Sequence, residues 1–423
     1  MRDLRSQSAG DGAESPDMTT EFHRIRRLPP YVFEEVNRIK AKLRAEGTDI
    51  IDFGMGNPDM PTPKHIVDKL IETARDPKAG RYSASKGVIG LRRAMAGYYD
   101  RRYGVKLNPD TEVVATLGSK EGFANLANAL TAPGDVIICP NPAYPIHAFG
   151  FIMAGGVIRH VPALSPEEYL AGISRAVKHS APPPSILILS YPSNPTAQWV
   201  DLDFYRDAVE LARKHDLLII SDVAYSEIYF DNNPPPSILQ VEGAKDLAVE
   251  VNSLSKTYAM AGWRVGMVVG NARMCAALAR VKSYLDYGAF LPIQVAAAAA
   301  LNGPQDCVEE IRGIYKSRRD TLVESMKRAG WDIPAPPASM FAWAKVPEQY
   351  REVGSMQFSR LLVEEAGVAV APGAGFGEYG EGYVRIGLVE NEHRIRQAAR
   401  NVKKFLADSD RILAKAHNVV AAQ

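Results

Sequence analysis

Residues 248–269 place a polar turn between two short apolar runs. The order is Ala248-Val-Glu-Val-Asn252, Ser253-Leu-Ser255-Lys256, and then Gly262-Trp-Arg264-Val before Gly266-Met-Val-Val269. Runs of this length, bounded by Ser and Gly, read as strands buried on both faces. Working outward, runs of the same kind recur at 217–221, 186–189, 136–139 and 112–116. Helical periodicity separates them, as at 202–215 and 274–284. Such alternation implies an α/β fold with a mostly parallel sheet and helices on both faces. Ligands bind such sheets beyond the carboxyl ends of the strands, and the polar residues considered below follow those ends.

Toward the C-terminus the pattern changes. Pro292 can open a helix at its first position, and the alanines at 296–300 favour its continuation. A charged helix at Asp306–Ala329 precedes a Pro-rich stretch at 334–337. A strand at Phe341–Lys345, a helix near 358–365 and a strand at 384–388 follow. These read as a smaller α+β domain, to which 31–53 adds a helix and a strand. The expected division is a disordered tail at 1–20, an N-terminal arm and part of the small domain at 21–60, and a large domain at 61–300. A small C-terminal domain at 301–410 and a tail at 411–423 complete it. The first twenty residues lack an apolar signal core, and Asp3, Asp11, Glu14 and Asp17 argue against a transit peptide. Met18 is an alternative start.

Composition narrows the function. Across 423 residues 46% are apolar and 23% charged, as in ordinary globular proteins, and the net charge is +1. No long-range field favours nucleic acid or an anionic membrane, and no apolar run is long enough to span a bilayer. Cys139, Cys275 and Cys307 are too scattered for a disulfide framework or a zinc site. They read as reduced thiols in a cytoplasmic protein.

The turn at 253–264 carries the densest chemistry. A lysine directly after a strand, beside two serine hydroxyls and an arginine, suits a nucleophilic amine next to a phosphate site. A surface lysine in a Ser-rich loop is the plainer alternative. Asp222, in Ser221-Asp222-Val-Ala-Tyr225, either holds a proton on a cofactor's pyridine nitrogen or caps a helix. Tyr225 can donate to a ring oxygen. Asn194, in Tyr191-Pro-Ser-Asn194-Pro-Thr196, offers both a donor and an acceptor, or only a turn. Gly118-Ser119-Lys120-Glu-Gly122 precedes a helical run, so its free amides can bind an anion or be capped conventionally. Tyr144 can stack on a flat ring or lie exposed in its Pro-rich loop. Arg385, in Tyr383-Val-Arg-Ile-Gly, can grip a carboxylate by two parallel hydrogen bonds or form a surface ion pair.

Each motif alone is weak; their order along one chain is specific. Together Asn194-Pro, Asp222-x-x-Tyr225, Ser253-x-Ser255-Lys256, Arg264 and Arg385 resemble the class I and II aminotransferases of the pyridoxal-phosphate fold type I, over residues 22–407. The resemblance implies a large domain with a mostly parallel sheet plus a smaller α+β domain, and a homodimer whose active sites lie at the subunit interface. It implies pyridoxal 5'-phosphate held by Lys256 as a Schiff base, with Lys256 also moving the proton. Asp222 would pair with the pyridine nitrogen, Asn194 and Tyr225 with the phenolic oxygen, and Tyr144 with the ring face. Ser119, Lys120, Ser253, Ser255 and Arg264 would bind the phosphate, helped by Tyr82 from the partner subunit. Arg385 would take the substrate α-carboxylate.

The stretches Arg27-Leu-Pro-Pro-Tyr31-Val-Phe33, Phe53-Gly-Met-Gly56-Asn-Pro-Asp59 and Lys282-Ser-Tyr-Leu-Asp-Tyr287-Gly are similar to glutamate–pyruvate aminotransferases and, beyond them, LL-diaminopimelate aminotransferases. Tyr31 and Gly56 match positions that touch substrate there. The asparagine that contacts substrate in the diaminopimelate enzymes is missing from Leu285-Asp-Tyr287-Gly-Ala. A ping-pong transamination between alanine/pyruvate and glutamate/2-oxoglutarate is therefore expected, with Tyr31, Arg26 or Arg27 meeting the distal carboxylate of glutamate. The alternatives are aspartate or broad specificity, or another fold-type-I enzyme such as a carbon–sulfur lyase or a decarboxylating synthase. A pyridoxal-phosphate-binding transcriptional regulator would need a basic helix-turn-helix domain that the thirty or so residues before Tyr31 do not show.

Overall fold

The structure is a computed structural model and describes residues 22, 27–29 and 33–420. The expected tail at 1–20 and residue Tyr31 lie outside the described residues. Among the described residues twelve strands can be numbered in chain order. The large sheet uses β2 (Val113–Thr116), β3 (Val136–Asn141), β4 (Val157–Pro162), β5 (Pro184–Ser190), β6 (Leu218–Asp222), β7 (Ala248–Ser253) and β8 (Gly266–Gly270). Its spatial order is β2-β8-β7-β6-β5-β3-β4, and only β8 runs against its neighbours. Six of the seven follow apolar runs legible in the sequence. The edge strand β4 carries Arg159 and His160 and is largely exposed, so it has no apolar run to reveal it.

Helices cover both faces of this sheet. They are α2 (Lys64–Ala74), α3 (Ile89–Tyr103), α4 (Ser119–Leu130), α5 (Ile146–Ala154), α6 (Pro166–His179), α7 (Leu202–Lys214), the single turn α8 (Leu254–Thr257), α9 (Ala272–Leu285) and α10 (Leu291–Asn302). In α7 the Asp201 carboxylate caps the first turn by accepting from Phe204 N at 2.9 Å. Its apolar residues Phe204, Tyr205, Ala208, Val209 and Ala212 fall on one face and are buried. Each large side chain so buried is worth about 1.5–3 kcal/mol, so Phe204→Ala would open a cavity under β5 and β6.

A second, smaller core forms elsewhere. The helix α1 (Phe33–Ala45) leads into β1 (Ile51–Asp52), which pairs in parallel with β10 (Val368–Ala369). An antiparallel sheet joins β11 (Ala371–Pro372), β12 (Tyr383–Gly387) and β9 (Phe341–Lys345). The long α11 (Asp306–Ala329), α12 (Gly354–Ala366) and α13 (Glu392–Ala407) enclose Tyr315, Phe341, Tyr350, Phe358 and Phe405. Residues 411–420, read from the sequence as a tail, are helical instead, within α14 (Ser409–Val420). Ile412 is buried there and Lys415 meets Glu365 at 2.7 Å, which gives that helix a reason to form. No described helix is long and apolar enough to cross a membrane.

Candidate active site

The site forms at the carboxyl edge of the large sheet because β2, β5, β6 and β7 all point the same way. Gly118, Asn194, Asp222 and Lys256 lie at or just past their ends. Since β8 runs backwards, its beginning lies at that edge. Arg264, just before β8, therefore meets residues that follow the other strands. A cleft of ≈ 430 Å³ opens here and is lined by every one of these residues except Gly118.

Lys256 sits in α8, whose first turn is capped by Ser253 accepting from Ser255 N at 3.2 Å. Its ammonium donates to Gly56 O at 2.7 Å. Burial, then the nearby Arg385 and Arg264 cations, lowers its pKa to about 8. The amine is thus far more available as a nucleophile near neutrality than an ordinary lysine.

Asp222 ends β6. One carboxylate oxygen accepts from Ala224 N at 3.1 Å, and the other is 2.8 Å from His147 Nε2. His147, in the first turn of α5, is fully buried, and its Nδ1 has no partner among the described residues. The tautomer assigned by these contacts carries the proton on Nε2 and donates it to Asp222. Tyr225 is half-buried, and desolvation in the cleft pushes its hydroxyl well above the usual phenol range, so it stays protonated. Asn194 donates to Tyr225 Oη at 3.5 Å and accepts from Arg385 at 2.8 Å.

Anion-binding groups gather next to Lys256. Gly118 precedes α4 with φ 87°, a left-handed conformation that glycine adopts without strain, and no side chain caps this helix. A Cβ at Gly118 would run into the Arg264 guanidinium, and one at Gly266 would lie 2.6 Å from Ser119 N. Two glycines thus let the arginine and the first turn of α4 close together, with free amide groups, the Ser119, Ser253 and Ser255 hydroxyls and Lys120 alongside.

The opposite wall comes from the smaller core. Arg385 on β12 also donates to Gly54 O at 3.1 Å and lies against the Phe341 and Phe376 rings, 4.1 and 4.7 Å from their centroids. Gly56 is part of this wall, and a Cβ there would collide with Phe341.

The structure thus brings together Lys256, Asp222, Tyr225, Asn194, Ser119, Lys120, Tyr144, Ser253, Ser255, Arg264, Gly56 and Arg385. It leaves Tyr82 outside this cleft, 87% exposed and packed on Tyr287 with ring centroids 4.6 Å apart. Arg27 turns away from the cleft toward Gly156 O at 3.4 Å. Sequence reading missed His147, Phe341, Phe376 and the α1 residues Val36, Asn37 and Lys40, five of which line the cleft directly. A signal existed for His147, a histidine three residues after Tyr144 in an otherwise apolar helix. None existed for Lys40, one charge among many on a surface-like helix.

The comparisons agree with this geometry. The family model for aminotransferase class I and II matches residues 48–402. The chain belongs to that family. It is 65% identical to the putative aminotransferase AatC of Rhizobium meliloti, over 95% of this chain and 98% of the relative. It is 50% identical to the glutamate-pyruvate aminotransferase AlaC of Escherichia coli, over 92% and 94%. It is 42% identical to the LL-diaminopimelate aminotransferase of Moorella thermoacetica, over 91% and 98%. The fold is that of the type I pyridoxal-phosphate enzymes, and pyridoxal 5'-phosphate is the cofactor of this aminotransferase. The residues present fit it. The cradle around Gly118 suits a phosphate, Asp222 suits a protonated ring nitrogen, and the lowered Lys256 amine suits an aldehyde.

Proposed function

We propose that this aminotransferase exchanges an amino group between alanine and 2-oxoglutarate, yielding pyruvate and glutamate. The pair is carried by the 50% identity to the glutamate-pyruvate enzyme over nearly the whole chain, above the 42% identity to the diaminopimelate enzyme. The missing asparagine in the 285–289 stretch points the same way.

When bound, the cofactor supplies an aldehyde that takes up amines and a ring that withdraws electrons from the substrate α-carbon. The protein supplies the rest. Lys256 anchors the cofactor and then shuttles the proton at the α-carbon, a task suited to an amine with a pKa of about 8. Asp222, oriented by His147 and Ala224 N, keeps the ring nitrogen protonated. Asn194 and Tyr225 would hold the ring oxygen, and Tyr144 would cover a ring face. Ser119, Lys120, Ser253, Ser255 and Arg264 bind the phosphate.

Arg385 takes the α-carboxylate with its fork while Phe341 and Phe376 exclude water from it. Alanine needs only apolar room for its methyl group. For glutamate, Asn37 and Lys40 on α1 offer donors on the facing wall. The enzyme works as a homodimer. An exposed apolar surface with Tyr82, Tyr284, Leu285, Tyr287 and Phe290 supports this, and across it Tyr82 reaches the partner's phosphate.

The test compares kcat/KM for alanine, aspartate and LL-diaminopimelate with 2-oxoglutarate as acceptor. Alanine should lead by tenfold or more. Aspartate or LL-diaminopimelate ahead by tenfold, ~1.4 kcal/mol of transition-state binding, would reject the pair and leave the aminotransferase activity standing.

A further inference from the structure

Lys282 on α9 is 0% exposed, yet it does not line the cleft. A buried ammonium is costly unless paired on several sides. This one bridges two carboxylates, Glu121 Oε1 at 2.9 Å and Asp286 Oδ2 at 2.8 Å. The two carboxylates belong to two different devices.

Glu121 lies in the first turn of α4, two residues after Ser119. Its other oxygen accepts from Leu117 N at 2.7 Å, which folds the Leu117–Gly118–Ser119 turn back onto the helix. Asn125 donates to Oε1 at 2.5 Å. Glu121 thus shapes the anion cradle but puts a negative charge beside it. Lys282 supplies the opposite charge.

Asp286 closes the far end of α9. Its Oδ1 accepts from Gly288 N at 2.6 Å, and its backbone carbonyl accepts from the Ser85 hydroxyl at 2.5 Å. Gly288, at φ 78°, packs so closely that a Cβ would strike the Ala84 carbonyl. Gln294 completes the clamp, donating to Ser83 Oγ at 2.8 Å and accepting from Val88 N at 2.8 Å. The segment that presents Tyr82 is therefore fastened to the segment that carries Tyr287.

We propose that Lys282 is a positioning residue for the cofactor's phosphate monoester. One ammonium cancels Glu121 beside the Gly118–Ser119 cradle and, through Asp286, ties that cradle to the arm bearing Tyr82. The Tyr82 half of this rests on the homodimer reading above. Without Lys282, Glu121 and Asp286 repel each other, and Glu121 repels the incoming dianion.

The experiment measures dissociation constants of the apoprotein for pyridoxal phosphate and, separately, for inorganic phosphate, together with the apoprotein melting temperature. Lys282→Met should weaken both ligands about tenfold or more, with a smaller change in kcat at saturating cofactor. Lys282→Gln, a milder change of similar length that removes the charge but keeps a hydrogen-bond donor, should weaken both about threefold, and it decides the matter if Lys282→Met does not fold. Either variant melting earlier while holding both ligands within twofold of wild type would make Lys282 a structural bolt and overturn the proposal. Tyr82→Phe separates the two readings. Unchanged cofactor affinity there, beside a loss in Lys282→Met, removes the Tyr82 arm and supports the cradle role. A loss in both supports the whole.

Discussion

The two walls of the cleft are built in opposite ways. On the sheet wall each candidate site residue sits within four residues of a strand end: Ser119 after β2, Asn194 after β5, Asp222 on β6, Lys256 after β7 and Arg264 before β8. Those strands are almost wholly buried and, apart from the edge strand β2, hydrogen-bonded on both sides, so their ends are rigid mounting points. The facing wall joins α1, residues 54–56, β9 and β12, with Arg385 reaching Gly54 across 331 positions of sequence. It depends on packing of the smaller core rather than on one ladder. The contrast teaches a division of labour: the sheet wall should govern chemistry and cofactor, and the facing wall should govern substrate binding.

The largest expected effect lies on the sheet wall. Lys256→Ala should cut kcat by at least about a thousandfold, ~4 kcal/mol in the barrier, and dialysis should strip the cofactor from the protein. A variant that keeps both its visible absorbance and normal turnover would dissolve the contrast at its centre. Asp222→Asn comes next. It should retain cofactor but lose about a hundredfold in kcat, because a neutral amide cannot hold the ring nitrogen protonated. A rate within tenfold of wild type would make Asp222 a plain cap of the following turn.

On the facing wall the expected signature is different. Arg385→Lys should raise KM about tenfold, ~1.4 kcal/mol, for amino acids and oxo acids alike, with a smaller fall in kcat. An effect confined to one substrate of the pair would turn Arg385 into a side-chain selector.

The smallest effect couples the walls. Burial and two cations hold Lys256 near a pKa of about 8, below the ordinary lysine value of 10.5. Its unprotonated fraction, and with it the rate of cofactor capture by the apoprotein, should rise roughly tenfold per pH unit up to that pKa and level off above it. Removing a neighbouring cation raises a lysine pKa, so Arg385→Met should move the midpoint upward and slow capture several-fold at pH 7. A stopped-flow pH profile reads this. A wild-type midpoint near 10.5 would mean that Lys256 is solvated rather than buried.

The sequence by itself determined the alternation of strands and helices, six of the seven strands of the large sheet, and the sheet-wall residues. The reason is local: apolar runs bury the strands, and the turn that follows each is written in adjacent residues such as Ser253-x-Ser255-Lys256. Arg385 was legible as a residue but not as a neighbour of Asn194 and Gly54. Tertiary structure alone decided that β4, with Arg159 and His160, serves as an exposed edge, since an edge strand needs no apolar run. It decided that His147 backs Asp222, because α5 packs across the end of β6 from 75 positions away. It also decided that Lys282 bridges Glu121 and Asp286, that Lys40 faces the cleft, and that 411–420 folds as a helix. These depend on pairings between distant segments, where a contact is fixed by the packing of whole elements and leaves no mark in the residues beside it.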